Sequence, residues 1–164
     1  MKEFDHEGLL LAEYQGKLFE KSTELKCSTP VFLRRFLHSD FLKKMDKNDV
    51  TSLTLDVNEG ILSIENQFGE SDYGKIRFSK SAMFWIGYMY RYLSYTRGAT
   101  TKFLMNLFPY TQLNDVYFSF HTQDPEWCTQ NLLEMNGQSE DVFNNNLRLK
   151  KVISAHGEYW KSVH

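Results

Sequence analysis

The chain has 164 residues, of which 41% are hydrophobic and 24% charged, and its formal net charge is −2. This length suits one domain, and the ordinary balance of apolar and charged residues argues against intrinsic disorder. A slightly acidic chain lacks the basic signature of nucleic-acid-binding domains, so nucleic acid is not an expected partner.

Compartment signals in the sequence are simple. No stretch approaches the roughly 18 consecutive apolar residues of a membrane span. Acidic residues near Met1 stand where a signal peptide would carry a basic region. Cys27 and Cys128 are far apart and form no CxxC pair, which is typical of free thiols in a reducing compartment. We therefore expect a cytoplasmic protein that does not associate with membranes.

Three helices are predicted in the first 45 residues. Apolar residues recur every seven positions and predict a helix over residues 5–26, which two glycines weaken. Ser28-Thr29-Pro30 combines a hydroxyl cap with Pro at the first helical turn, and it predicts a second helix over 31–37. Ser39 and Asp40 are capping residues for a third helix over 41–45.

The segment from Val50 to Gly69 supports two interpretations. Residues 51–55 alternate as a strand does and precede a turn-like Asn-Glu-Gly, so a small β-hairpin near 50–65 is one alternative. The other alternative is a helix over 56–68, because four apolar residues share one helical face, namely Val57, Ile61, Ile64 and Phe68. We favour the helix, since Gly69 is well placed to end it.

The clearest prediction is a helix over 80–97, capped by Ser79 and stopped by Gly98. Its residues are apolar and aromatic on nearly every face, which is typical of a central helix packed on several sides. Further helices are predicted over 101–108, 112–120 and 125–135.

The last segment is predicted to be irregular. Three consecutive asparagines at 144–146 disfavour a helix. We therefore expect one helical domain over residues 1–137 and a tail over 138–164 that is loosely packed or bound to a partner. The predicted fold is an all-α bundle of six to eight short helices around the central aromatic-rich helix.

Candidate catalytic residues are few. His121 precedes Asp124 by three positions, which could form a metal or acid–base pair, but a helix cap with a local hydrogen bond is the simpler interpretation. The sequence has no phosphate-binding glycine motif, no nucleophile elbow and no HExxH or CxxC pair. We therefore predict no metal site, no cofactor and no enzymatic activity.

Arginine and tyrosine instead indicate a contact surface. These residue types are enriched in the energetically dominant positions of protein interfaces. They cluster near the end of the central helix and in the helix that follows it. The predicted partner-binding residues are Tyr88, Arg91, Tyr92, Tyr95, Arg97, Tyr117 and His121.

Two motifs carry a family resemblance. Residues 85–92 spell W-I-G-Y-M-Y-R-Y, and residues 117–125 follow the pattern Y-x-x-x-H-T-x-D-P. Together with Phe-Leu-Arg-Arg-Phe at 32–36, they resemble a family of small uncharacterised bacterial proteins that are common in Firmicutes. The genes of that family lie beside toxin-like genes, including ADP-ribosyltransferase-like ones. Over roughly residues 20–135, the resemblance implies an antitoxin-like protein that neutralises a toxic enzyme by direct contact.

Three alternatives stay open at this point. A phage-encoded inhibitor of a bacterial defence nuclease would have the same composition. A nucleotide- or RNA-acting enzyme would bring Arg91, Arg97 and His121 together on a phosphate. A DNA-binding regulator would use the basic pairs at 34–35 and 43–44, although the net charge argues against it. The sequence does not determine the oligomeric state.

Overall fold

A computed structural model describes residues 1–163, which form nine α-helices and one 3₁₀ helix without any β-strand in that range. The all-α prediction is therefore confirmed. In chain order the α-helices are α1 His6–Ser22, α2 Thr29–His38, α3 Asp40–Met45, α4 Val57–Phe68, α5 Lys80–Arg97, α6 Thr101–Leu107, α7 Tyr110–Phe120, α8 Pro125–Met135 and α9 Glu140–Val163. The 3₁₀ helix covers Val50–Thr54.

The helical interpretation of the ambiguous segment is confirmed by α4, and the alternative hairpin near 50–65 is not formed. A capping box explains the outcome. The Asp56 carboxylate accepts a hydrogen bond from the Glu59 N–H at 2.9 Å, and the Glu59 carboxylate accepts one from the Asp56 N–H at 3.0 Å. This arrangement satisfies two N–H groups that a helix start leaves unpaired. Ile61 and Ile64 are buried and anchor the helix to the core.

The chain divides into two compact units, the first over Met1–Pro125 and the second from Glu126 onward. The predicted boundary after residue 137 thus lies twelve positions further along the chain, in the turn between α8 and α9. Gly137 adopts a positive φ of 64° in that turn, and the Gln138 N–H donates to the Leu133 carbonyl at 2.9 Å. The turn therefore follows α8 directly and joins it to α9.

The core of the first unit is the pair α1 and α5. Fourteen of the eighteen residues of α5 are buried, as predicted for a central helix. The two helices approach closely because glycines stand at their contact. A Cβ added at Gly87 would lie 2.6 Å from the Gln15 carbonyl oxygen, and one at Gly16 would lie 2.9 Å from the Phe84 ring. Gly16 therefore marks a close helix–helix contact.

The predicted irregular tail is wrong for residues 140–163, which form the single helix α9 of 24 residues. Ser139 starts this helix, since its hydroxyl accepts a hydrogen bond from the Val142 N–H at 3.2 Å. The three asparagines at 144–146 are exposed, so their amides stay in water. Each costs at most about 0.7 kcal/mol relative to Ala, which burial of Phe143 and Leu147 outweighs.

No helix within residues 1–163 combines the length and the apolar character that a membrane crossing requires.

Candidate functional site

Arg91, one of the predicted contact residues, is fully buried inside the first unit. Its Nε donates to Gln15 Oε1 at 2.8 Å, its Nη1 donates to the Met45 carbonyl at 2.7 Å, and its Nη2 donates to Asp46 Oδ1 at 3.1 Å. Burial lowers the pKa of Arg91, while the Asp46 charge and hydrogen bond raise it. The guanidinium links α1 and the end of α3 to α5, so its N–H donors are already used in hydrogen bonds within the protein.

Tyr92, Tyr95 and Arg97 also lie inside rather than on a surface, with 5%, 2% and 8% of each residue exposed. The residues before α1 cover this end of α5. The Phe4 ring lies edge-on to Tyr92 with the centroids 4.8 Å apart, and the Tyr95 hydroxyl donates to Asp5 Oδ1 at 2.7 Å. The prediction of an exposed cluster is therefore corrected. Four of its seven residues are buried inside the protein, namely Arg91, Tyr92, Tyr95 and Arg97.

The other three predicted residues, Tyr88, Tyr117 and His121, meet at one open pocket of about 490 Å³. The Tyr117 ring stacks on the His121 ring with centroids 4.4 Å apart, and it lies 6.0 Å from the Trp85 ring. We call this site the aromatic pocket. It is lined by Glu20, Ser81, Phe84, Trp85, Tyr88, Tyr117, His121, Gln123 and Pro125. Sequence reasoning missed Glu20, because α1 is far from the other lining residues in the chain.

Hydrogen bonding orients the imidazole of His121, which lines the aromatic pocket. His121 Nδ1 lies 2.9 Å from the Tyr117 carbonyl oxygen and 3.1 Å from the Phe118 carbonyl oxygen. A carbonyl only accepts, so Nδ1 carries the proton and donates. In the neutral ring Nε2 is then left as an acceptor.

The residues that line the aromatic pocket include one carboxylate and no cation. Burial raises the pKa of Tyr88, and the carboxylates of Glu13 and Asp124 raise it further. The Glu20 carboxylate lines the pocket, and none of the lining residues is Lys or Arg. The site can therefore offer aromatic faces and negative charge to a ligand, but it offers no cation to a phosphate.

Metal binding finds no support in the described part of the chain. No group of three or more His, Cys, Asp or Glu side chains within residues 1–163 is placed to hold a metal ion. His121 and Asp124 therefore lack a third ligand there.

A second candidate site lies on α9. All sixteen residues from 148 to 163 are exposed. Their apolar members recur at helical spacing, so they form one stripe roughly 120° wide at about 100° per residue. We call this surface the α9 stripe. Between 51% and 62% of each member is exposed, and the members are Leu149, Val152, Ile153, Tyr159, Trp160 and Val163.

The rest of this exposed segment is basic. Arg148, Lys150, Lys151 and Lys161 lie outside the stripe, and Glu158 is the single acidic residue of the segment. Four positive charges and one negative charge give the segment a net charge of +3 with His156 neutral. Helical spacing of the stripe was present in the sequence. The asparagines that precede it obscured the signal, because they argued against any helix there.

Comparisons with known proteins add no relative: no family model matches the chain, and no curated protein or solved structure matches it.

Proposed function

We propose that this chain is a non-catalytic protein-binding module that neutralises a partner enzyme by direct contact, as an antitoxin does. The observation that carries the proposal is the α9 stripe, an apolar helix surface that stays exposed over sixteen consecutive residues. Large apolar surfaces on soluble chains usually mark interaction sites. An amphipathic helix of this kind binds by laying its apolar side into a groove of the partner.

The side chains of the α9 stripe suit a high-affinity contact. Tyr159 and Trp160 belong to the residue types that dominate binding energy at interfaces. Leu149 and Ile153 are 59% and 62% exposed, so burying the rest of either residue contributes about 1–2 kcal/mol. Six such residues can offset the association entropy of several kcal/mol and still leave a stable complex.

Charge selects the kind of groove. A segment with net charge +3 is attracted to a groove bordered by carboxylates, and it repels a second copy of itself. His156 lies within the arc of the stripe, where its Nε2 accepts a hydrogen bond from Trp160 Nε1 at 2.8 Å. A polar group in the middle of the apolar arc suits a protein groove better than the acyl region of a bilayer. The partner we infer is therefore a protein with an acidic, apolar-floored groove.

The antitoxin role rests on the W-I-G-Y-M-Y-R-Y and H-T-x-D-P motifs and the resemblance that they carry. The burial of Arg91 also supports a non-catalytic role, because a fully buried guanidinium with protein acceptors on Nε, Nη1 and Nη2 cannot hold a phosphate. Arg97 is buried as well, so two of the three residues of the enzyme hypothesis lie inside the protein.

The test uses the full chain and the purified products of the genes next to its own. Each product is titrated with the chain by calorimetry, and its enzymatic activity is assayed with and without the chain. We expect a one-to-one complex and loss of that activity. Ile153→Asp should weaken the complex about 100-fold, because it places a charge in the apolar contact.

Ser154→Asp is the matched control, since it introduces the same charge on the basic side of α9 one position away. It should weaken binding far less than Ile153→Asp. Equal binding by the wild-type and Ile153→Asp chains would show that α9 is not the contact. Binding to anionic vesicles, with none to the neighbouring gene products, would overturn the proposal in favour of a membrane-surface helix.

A further inference from the structure

We propose that the aromatic pocket of the first unit is a binding site for an organic cation of the methylated-ammonium class. The inference is independent of the proposed function, because it uses only residues of the unit Met1–Pro125 and none of α9.

Two pairs of rings line the pocket. Phe84 and Tyr88, one turn apart on α5, stack with their centroids 6.3 Å apart. Tyr117 on α7 and His121 just after it are also four positions apart, and their rings stack with the centroids 4.4 Å apart. The ring of Trp85 lies 6.0 Å from that of Tyr117. The face of an aromatic ring is electron-rich, and several faces around one cavity are the usual means by which proteins bind quaternary ammonium groups.

Carboxylates strengthen the preference for positive charge. Glu20 lines the pocket, and its carboxylate has no ion-pair partner among the described residues. The charges of Glu13 and Asp124, which do not line the pocket, also raise the pKa of Tyr88. A cation in the pocket would thus face aromatic rings and at least one carboxylate together.

The lysines near the aromatic pocket are not among the residues that line it. Lys21 and Lys80 bind Glu24, at 2.5 and 3.8 Å, and neither lines the pocket. Lys17, Lys21 and Lys80 share with Glu20 a neighbouring groove, which is not the aromatic pocket. The aromatic pocket itself is therefore lined by one carboxylate and by no Lys or Arg.

Other ligand classes fit less well. A nucleotide needs cationic donors for its phosphates, and the lining contains no Lys or Arg. A neutral apolar ligand would cover the Glu20 carboxylate without neutralising it, which costs free energy. A methylated ammonium needs no cationic donor and neutralises the carboxylate. Its methyl groups contact the rings while its charge offsets that of Glu20.

The experiment titrates the full chain with choline and with 3,3-dimethyl-1-butanol, which replaces the nitrogen of choline by carbon and has no charge. Binding is followed by NMR shifts of the tyrosine and tryptophan side chains. Choline should bind at least about tenfold more tightly than its neutral analogue, because only choline is attracted to the ring faces and to the carboxylate by its positive charge. A peptide carrying trimethyl-lysine, titrated alongside, distinguishes a protein side chain from a free small molecule as the source of the cation.

Two variants and a control assign the site. Glu20→Gln should weaken choline binding several-fold while leaving the neutral analogue unaffected. Tyr117→Ala should weaken choline about tenfold. Tyr73→Ala is the matched control, because it removes the same kind of side chain at a position that is 76% exposed and does not line the pocket, so choline affinity should stay unchanged.

Equal affinity for choline and its neutral analogue, or no binding of either, overturns the inference. Tighter binding of adenosine than of choline also overturns it and identifies a base-stacking pocket instead. Ile153→Asp, which tests the α9 contact, should leave choline binding intact, so the two proposals can fail separately.

Discussion

Arg91 Nη2 lies 3.1 Å from Asp46 Oδ1, and this ion pair joins α5 to the end of α3 with the arginine side chain fully buried and the aspartate side chain 17% exposed. The same carboxylate accepts a hydrogen bond from the Thr101 hydroxyl at 2.7 Å, which brings the start of α6 into the network. Three separate segments of the chain therefore meet at one charge pair.

Replacement of Asp46 by Ala should destabilise the first unit strongly. It leaves a buried guanidinium without its counter-charge, and such losses cost about 3–5 kcal/mol. Denaturation in urea, followed by circular dichroism, measures the change. Asp40→Ala is the control, because the Asp40 carboxylate and its Lys43 partner are both more than 70% exposed and their ion pair contributes little. A loss below about 1 kcal/mol for Asp46→Ala would contradict a structural role for the pair.

Gly87→Ala should also destabilise the protein, although Ala favours a helix by about 1 kcal/mol. The added Cβ would lie 2.6 Å from the Gln15 carbonyl oxygen and 2.7 Å from the Phe19 ring, so α1 must move away from α5. We expect a net loss of about 1–3 kcal/mol, measured as the free energy of unfolding. Gly157→Ala on α9 is the matched control, because no atom lies within 4 Å of its added Cβ, and it should raise helix content.

Tyr90→Phe should cost about 1–1.5 kcal/mol of unfolding free energy. The Tyr90 hydroxyl donates to the Phe108 carbonyl at 2.6 Å in the core, and its removal leaves that carbonyl unsatisfied. Tyr88→Phe is the comparison, because Tyr88 is only half-buried at the aromatic pocket. It should change stability by less than about 0.5 kcal/mol. A similar loss for both variants would mean that the Tyr90 hydrogen bond is not the cause.

Stability at acidic pH should depend on Asp5. A hydrogen bond from the Gly8 N–H, and then one from the Tyr95 hydroxyl, lower the pKa of Asp5 below its ordinary value of 3.8. Because the folded-state pKa is the lower one, the stabilisation is complete above the unfolded-state pKa and is lost as the pH falls through the folded-state value. Melting temperatures measured from neutral pH down to strongly acidic pH should fall less steeply below about pH 4 for Asp5→Asn than for the wild type. Parallel curves would show that Asp5 does not contribute.

Local chemistry determined most of the helices from sequence alone. Ser79 and Gly98 delimit α5 because a capping hydroxyl and a glycine in the left-handed conformation act within one turn of the chain. In the same way, an Asp-Pro pair indicated the start of α8, and a single apolar face indicated that α4 is a helix. Periodicity and capping are local properties, so they can be recognised without knowing what a helix packs against.

Tertiary structure alone decided which faces of those helices are available. Because α5 is apolar and aromatic on nearly every face, its sequence does not show which face points to the core. Arg91 was therefore expected at the surface, but its side chain reaches into the core and binds Asp46, 45 positions earlier in the chain. The aromatic pocket depends likewise on Glu20, which α1 carries to the side of α5, and long-range contacts of this kind leave no periodic signal. For α9, tertiary structure overruled the local propensity of the sequence. The asparagines disfavoured a helix by local propensity, but the burial of Phe143 and Leu147 stabilised one. Its continuation over residues 148–163 is exposed, and it is therefore the candidate contact surface.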